Sequence, residues 1–207
     1  MRTYLLVGIL LVHGSNAIGQ WQANPQVGIN FQQVTKAPVG VEHSARAGYF
    51  GGVDFRSGGR LYAQPGVFVG RSATLYRFAD ATVISGNILR TSLKPRLMMG
   101  YRVVDHEQFD IRLSVGPSYD FVLDRSTRNP EQQLNDDDFN DGLWGADGAV
   151  GFDFGHFTIE YSLNFGLSRV YTDNLVVQNI DSRYITYAIT IGVNWGDDHR
   201  NNVPVVR

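Results

Sequence analysis

From Leu89 to Leu123 the chain alternates apolar and polar residues almost without a break, over two successive segments. Leu89, Thr91, Leu93, Pro95, Leu97, Met99, Tyr101 and Val103 share one parity, while Arg90, Ser92, Lys94, Arg96, Met98, Gly100 and Arg102 share the other. After a polar turn, Phe109, Ile111, Leu113, Val115, Pro117, Tyr119, Phe121 and Leu123 alternate with Asp110, Arg112, Ser114, Gly116, Ser118 and Asp120. A period of two marks a β-strand, because successive side chains point to opposite faces. The two segments form a hairpin with one apolar face and one charged face, and the fold must supply a different environment to each.

The same alternation recurs in six further segments: 27–32, 45–55, 61–69, 144–154, 157–168 and 184–195. Pro65, which lacks a ladder donor, asks for a bulge or a locally weakened pairing in the third strand. The connections alternate in length: strands one and two, three and four, five and six, and seven and eight are joined by long loops, and the others by short turns. This asymmetry predicts an all-β fold, an eight-stranded antiparallel up-and-down transmembrane β-barrel with short periplasmic turns and longer extracellular loops. An even strand number puts both termini on the short-turn side.

A soluble barrel of the lipocalin type would reverse the faces, with charge outside and oil inside. Gly19, Gln20 and Trp21 resemble that family's Gly-x-Trp, but Asn24 and Pro25 follow before the first strand and no helix closes the chain. Three features favour the membrane version. Tyr101, Phe109, Trp144, Phe154, Phe157 and Trp195 stand at strand ends, as interfacial girdles require. The polar faces are rich in small residues, which suits a narrow lumen. They also balance in charge: Arg46, Arg90, Lys94, Arg96, Arg102 and Arg112 against Asp54, Asp110, Asp120, Asp147, Asp153 and Glu160. An eight-stranded barrel has an interior that side chains just fill, so these charges are expected to form a lumenal network rather than line an open pore.

The N-terminus reads differently. Arg2 precedes the apolar run Tyr4 to Val12 and then small residues, the pattern of a secretory signal peptide, with cleavage before Ile18 or before Gln20. The expected organisation is a signal peptide over 1–19, a barrel over 20–195 and a polar periplasmic tail over 196–207. The chain has no cysteine, so stability must come from pairing and burial. With 18 basic and 20 acidic residues there is no basic excess to suggest nucleic acid.

Three proline-bearing stretches also resemble a family. Leu61 to Gly66 (Leu-Tyr-Ala-Gln-Pro-Gly), Leu93 to Leu97 with its mid-strand Pro95, and Val115 to Ser118 with its Gly-Pro are similar to strands of the small outer-membrane β-barrel proteins common in Bacteroidetes, often called porin-like or PorT-like. Lys94 and Arg96 depart from the pattern, standing where that family more often has an acidic or apolar residue. The resemblance implies a Gram-negative outer-membrane location and carries over no catalytic residue.

The chemistry-bearing residues are sparse. His43, His106, His156 and His199 fall in a loop, two turns and the tail, away from any lumenal face, and no enzyme activity is expected. Asp136, Asp137, Asp138 and Asp141 concentrate carboxylates in one loop and could hold a divalent cation bridging lipopolysaccharide phosphates; the bland reading is a solvated loop. An EF-hand is excluded by Phe139 at a ligand position and Gly148 at the closing one. No resident metal or cofactor is expected. The expected partners are outer-membrane lipid and lipopolysaccharide, the barrel-assembly machinery and an envelope protein. The expected role is structural or interactive, with a narrow pore, an accessory barrel of a secretion or uptake machine, or an enzyme acting on lipid as alternatives.

Overall fold

The computed structural model describes residues 21–36, 41–78, 85–106, 108–128, 139–172 and 181–196. The strands are β1 (Trp21–Val34), β2 (Val41–Gly58), β3 (Leu61–Phe78), β4 (Ser85–His106), β5 (Phe109–Arg128), β6 (Gly142–Phe154), β7 (Phe157–Gly166), β8 (Tyr184–Val193) and β9 (Trp195–Gly196). Sequential strands pair antiparallel from β1 to β8, and β1 also pairs with β8, so the sheet closes. The two-residue β9 continues β8 beyond Asn194 and pairs with β1. The wall is therefore an eight-stranded up-and-down barrel. The residues of the expected signal peptide lie outside the described residues, as do residues 197–207 of the tail.

Alternation decides which side of the wall each residue faces, and the structure turns oil outward. Val115 is 64% exposed and Arg112, three positions earlier, is 0% exposed. In water this arrangement would be unstable; in hydrocarbon it satisfies both faces, because the closed ladder pairs the backbone internally. Trp21, Phe55, Tyr101, Phe154, Phe157 and Trp195 gather near the short-turn end of the outer face, and Trp144 near the loop end. Phe109 stacks on Phe154 with ring centroids 5.0 Å apart.

Several strands are longer than the alternation predicts. β1 begins at Trp21 rather than at Val27, with Pro25 accommodated opposite Val53. At the loop end the ladder of β3 and β4 continues to Arg77 opposite Ser85, through what reads in sequence as a connection. Beyond the lipid band both faces of a hairpin meet water, so the apolar period fades while backbone pairing goes on. The result is a tall side, β2 to β5 with 18, 18, 22 and 20 residues, and a low side, β6 to β8 with 13, 10 and 10.

Two local features set the register. Gly155 takes φ 56° in the turn before β7, a left-handed conformation that glycine adopts without steric cost. A bulge in β2 pairs Arg46 with Ala73 but Tyr49 with Arg71, two residues on β3 against three on β2. One extra residue exchanges inner and outer faces from that point on.

Candidate functional site

The lumen gathers nearly all the buried chemistry of the described residues. Its turn-end half is a solid polar plug. Asp54 on β2 accepts hydrogen bonds from Arg96 Nε at 3.1 Å, from Arg96 Nη2, from Gln64 Nε2 at 2.8 Å and from Gln26 Nε2 at 2.9 Å. Arg96 Nη2 also reaches Glu160 Oε1 at 3.0 Å, and Glu160 Oε2 accepts from Arg112 Nη1 at 2.9 Å. Arg112 Nε donates to Asp153 at 2.9 Å, and Asp153 is met by Arg56 Nη1 at 3.0 Å and by the Thr158 hydroxyl. The charges alternate around a circuit that leaves β2, crosses β4, β7, β5 and β6, and returns to β2. Asn24 and Asn194 extend it toward the turn end, Asn24 donating to Asn194 and, at 3.1 Å, to Thr158.

Charges this deep are stable only when paired on every side, since removing one partner of a buried pair costs about 3–5 kcal/mol. The strands make room for them with glycine. A Cβ on Gly151 would come 2.3 Å from the Arg112 guanidinium carbon, and one on Gly66 would come 1.9 Å from Asp54 Oδ1. The inward glycines thus set how far the charged side chains can cross the lumen.

The loop-end half is built otherwise. Lys94 lies 3.0 Å from Asp147, which also accepts from Asn164 at 3.1 Å, and Arg90 approaches Asp120 at 3.6 Å. Between these pairs is a cavity of about 70 Å³ bordered by Asn30, Ser72, Arg90, Lys94, Asp120 and Asp147. Such a polar space holds a few waters. Buried Arg90 Nε and Nη1, Asn30 Oδ1 and Asp147 Oδ2 have no protein partner there.

An apolar lid lies at the loop end. Ile88, Leu143 and Tyr184 point inward from three strands, and Phe139, Val170 and Tyr171 fold over them from two loops, all 8% exposed or less. Phe139 bridges Tyr171 in antiparallel register, and Asn140 ties the loops by donating to the carbonyls of Arg169 at 2.9 Å and Tyr171 at 3.3 Å. Arg125 stacks over Phe139 at 4.7 Å and Arg90 over Tyr184 at 4.6 Å. On the surface beside the lid, a hydrogen bond from Arg183 Nε at 3.1 Å holds the Asp181 carboxyl below the usual carboxylate range.

Of the charges expected in the lumen, Asp54, Arg90, Lys94, Arg96, Arg102, Asp110, Arg112, Asp120, Asp147, Asp153 and Glu160 all point inward. Arg102 Nε lies 4.0 Å from Asp110 near the turn end. Arg46 is the correction: it is exposed on the outer face, because the β2 bulge moves it across the wall. Arg56, read in sequence as part of the turn, takes its place among the lumenal cations. Its parity with Gly52 and Asp54 is the signal that would have found it. The lid was also unanticipated. In the acidic loop, Asp141 is exposed and lies 3.4 Å from Arg125, while Asp136, Asp137 and Asp138 lie outside the described residues.

One solved structure shares this architecture, and others resemble it more distantly. The outer membrane protein OprG from Pseudomonas aeruginosa superposes with a TM-score of 0.58 at 11% identity, covering 87% of this chain and 96% of its own, a likeness of fold alone. The attachment invasion locus protein Ail of Yersinia pestis, solved with the heparin analogue sucrose octasulfate, aligns at 12% identity over 84% of this chain and 99% of its own, with a TM-score of 0.43 too low to carry an argument. The same holds for the outer membrane enzyme PagL, at 9% identity over 83% and 98% of the two chains with a TM-score of 0.40. No curated protein matches the chain. A family model described as outer membrane protein beta-barrel domain matches residues 14–172, most of the chain and much of the barrel just described; the protein belongs to that family, and its place is the outer membrane.

Proposed function

We propose that this protein is a non-enzymatic barrel of the cell envelope, sealed to solutes, that acts through contacts made at its loops or its turn-end surface. The observation that carries the reading is the charge circuit: Asp54, Arg96, Glu160, Arg112, Asp153 and Arg56 span the lumen with their partners on one another. Carboxylates held this way neutralise arginines and fill the lumen across its width. In this reading the long loops face outside and both chain ends face the periplasm. Outer-membrane lipid, lipopolysaccharide and the barrel-assembly machinery are its general partners, with an envelope protein as a specific one. The signal peptide, the Gram-negative source and the narrower kinship with PorT-like barrels of Bacteroidetes belong to the same proposal, the last resting on the three proline-bearing strands.

The cavity above the plug favours a second reading, a narrow pore or accessory barrel in which the lid opens. Single-channel recording in planar bilayers separates the two. The sealed barrel gives no steady openings over the voltage range that the bilayer withstands; reproducible unitary steps would replace it with the pore. Alanine at His43, combined with an assay for lipid modification, tests the enzymatic alternative.

A further inference from the structure

The outer wall carries two cations for which no described side chain supplies a counterion. The β2 bulge puts Arg46 outside, opposite Ala73, and the next outward residue of β3 toward the turns is Arg71, opposite Tyr49 on β2 and Thr91 on β4. Arg46 and Arg71 are therefore diagonal neighbours on one face. Neither side chain has a hydrogen bond or ion pair among the described residues. Arg71 Nε is shut off from solvent and has no acceptor. Inside the barrel, by contrast, Arg96 and Arg112 each meet two carboxylates.

Their height on the wall says what neutralises them. Leu61, 61% exposed, marks the turn-end edge of the apolar band on β3, and Val67 and Val69 continue it. Arg71 lies ten positions beyond Leu61. At about 3.3 Å per residue and a tilt near 40°, that is roughly 25 Å along the membrane normal, the height of a barrel's apolar band. Arg71 thus sits at the loop-end boundary of the hydrocarbon, opposite Tyr49, itself 64% exposed, and Arg46 stands just beyond it. The nearest described acid on this face, Asp124, pairs with Thr91 and so stands two strands from Arg71, roughly 10 Å away. At this depth the abundant anion is the phosphate of a lipid headgroup, and a guanidinium recognises phosphate through parallel N–H donors.

We propose that Arg46 and Arg71 form a clamp for the phosphate of one outer-leaflet lipid on the membrane face of β2 and β3. The proposal rests on the orientation given above, with the loops outside. The bulge is then a functional feature, since without it Arg46 would face the lumen.

The test uses the mature protein in detergent micelles, with bisphosphorylated lipid A and its dephosphorylated counterpart as probes and native mass spectrometry as readout. Wild type is expected to retain one bisphosphorylated lipid A, and the double variant Arg46→Gln, Arg71→Gln to bind it about tenfold more weakly, the loss of one charge-assisted contact. The double variant Arg60→Gln, Arg183→Gln, an equal change of charge at a turn and a loop away from the clamp, leaves binding unchanged. Dephosphorylated lipid A does not distinguish wild type from the double variant, and equimolar inorganic phosphate does not displace the lipid. Equal retention by the double variant, or displacement by free phosphate, would overturn the clamp. Heat-modifiable migration on gels checks that each variant is folded. Orientation is read separately, by labelling Lys36→Cys on intact cells with a membrane-impermeant thiol reagent: absence of labelling there would sink the orientation while the micelle result still judges the clamp.

Discussion

The turn-end and loop-end halves of the lumen are lined by the same strands and closed by opposite means. Below, Asp54, Glu160 and Asp153 each use both carboxylate oxygens on donors from other strands. Above, among the described residues, Asp147 leaves one oxygen unused, Asp120 has a single ion pair at 3.6 Å, and apolar residues from two loops complete the seal. Charge closes a barrel where many strands converge on it. Where fewer donors reach, a cavity remains and oil has to cover it.

The contrast can be broken by mutation, and the largest effect is expected below. Arg112→Met leaves Glu160 and Asp153 short of a partner and is expected to lower stability by about 3–5 kcal/mol, read from urea unfolding in micelles. Next, Gly151→Val pushes a side chain into the Arg112 guanidinium at an expected cost of about 1–3 kcal/mol. Gly148→Val, on the outer face of the same strand, should be nearly neutral, because a Cβ added there meets nothing within 4 Å. If both glycine variants unfold alike, lumenal crowding is not what the plug depends on.

The lid can be probed through access, because the chain contains no cysteine. Introduced at Ser72, beside the cavity, a thiol is expected to react severalfold faster with a small thiosulfonate once Phe139→Ala opens the lid. A thiol at inward-facing Ser114 on β5 is expected to stay unreactive, so equal acceleration at both would show that the plug leaks. The smallest effect is expected from Lys94→Met. Its pair borders the cavity, where water can take the place of the ammonium beside buried Asp147, so a loss of about 1 kcal/mol is expected by the same urea measurement.

How much of this was legible in the sequence differs along the wall. Within the lipid band, oil on one side and charge on the other force strict alternation, and strand count, order and facing all follow from it. Arg46 escaped because a single inserted residue among small neighbours leaves no mark on the pattern. Arg56 escaped because Ser57, Gly58 and Gly59 announce a turn one residue early. The lid escaped for a different reason. Phe139 and Tyr171 come from loops that alternation does not govern, and only closure of the barrel brings them together.

The charge circuit also bears on how the protein is assembled. Arg96 and Glu160 are on β4 and β7, Arg112 and Glu160 on β5 and β7, and Arg56 and Asp153 on β2 and β6, so these bridges join strands that are not neighbours in the sheet. A hairpin entering the bilayer alone would carry its arginines or carboxylates without their counterions. Partial intermediates are penalised, because these pairs are complete only when β2 and β4 to β7 are all in place. The plug therefore makes insertion cooperative, and a chain missing one of these residues is expected to stall before closure and be cleared by envelope proteases.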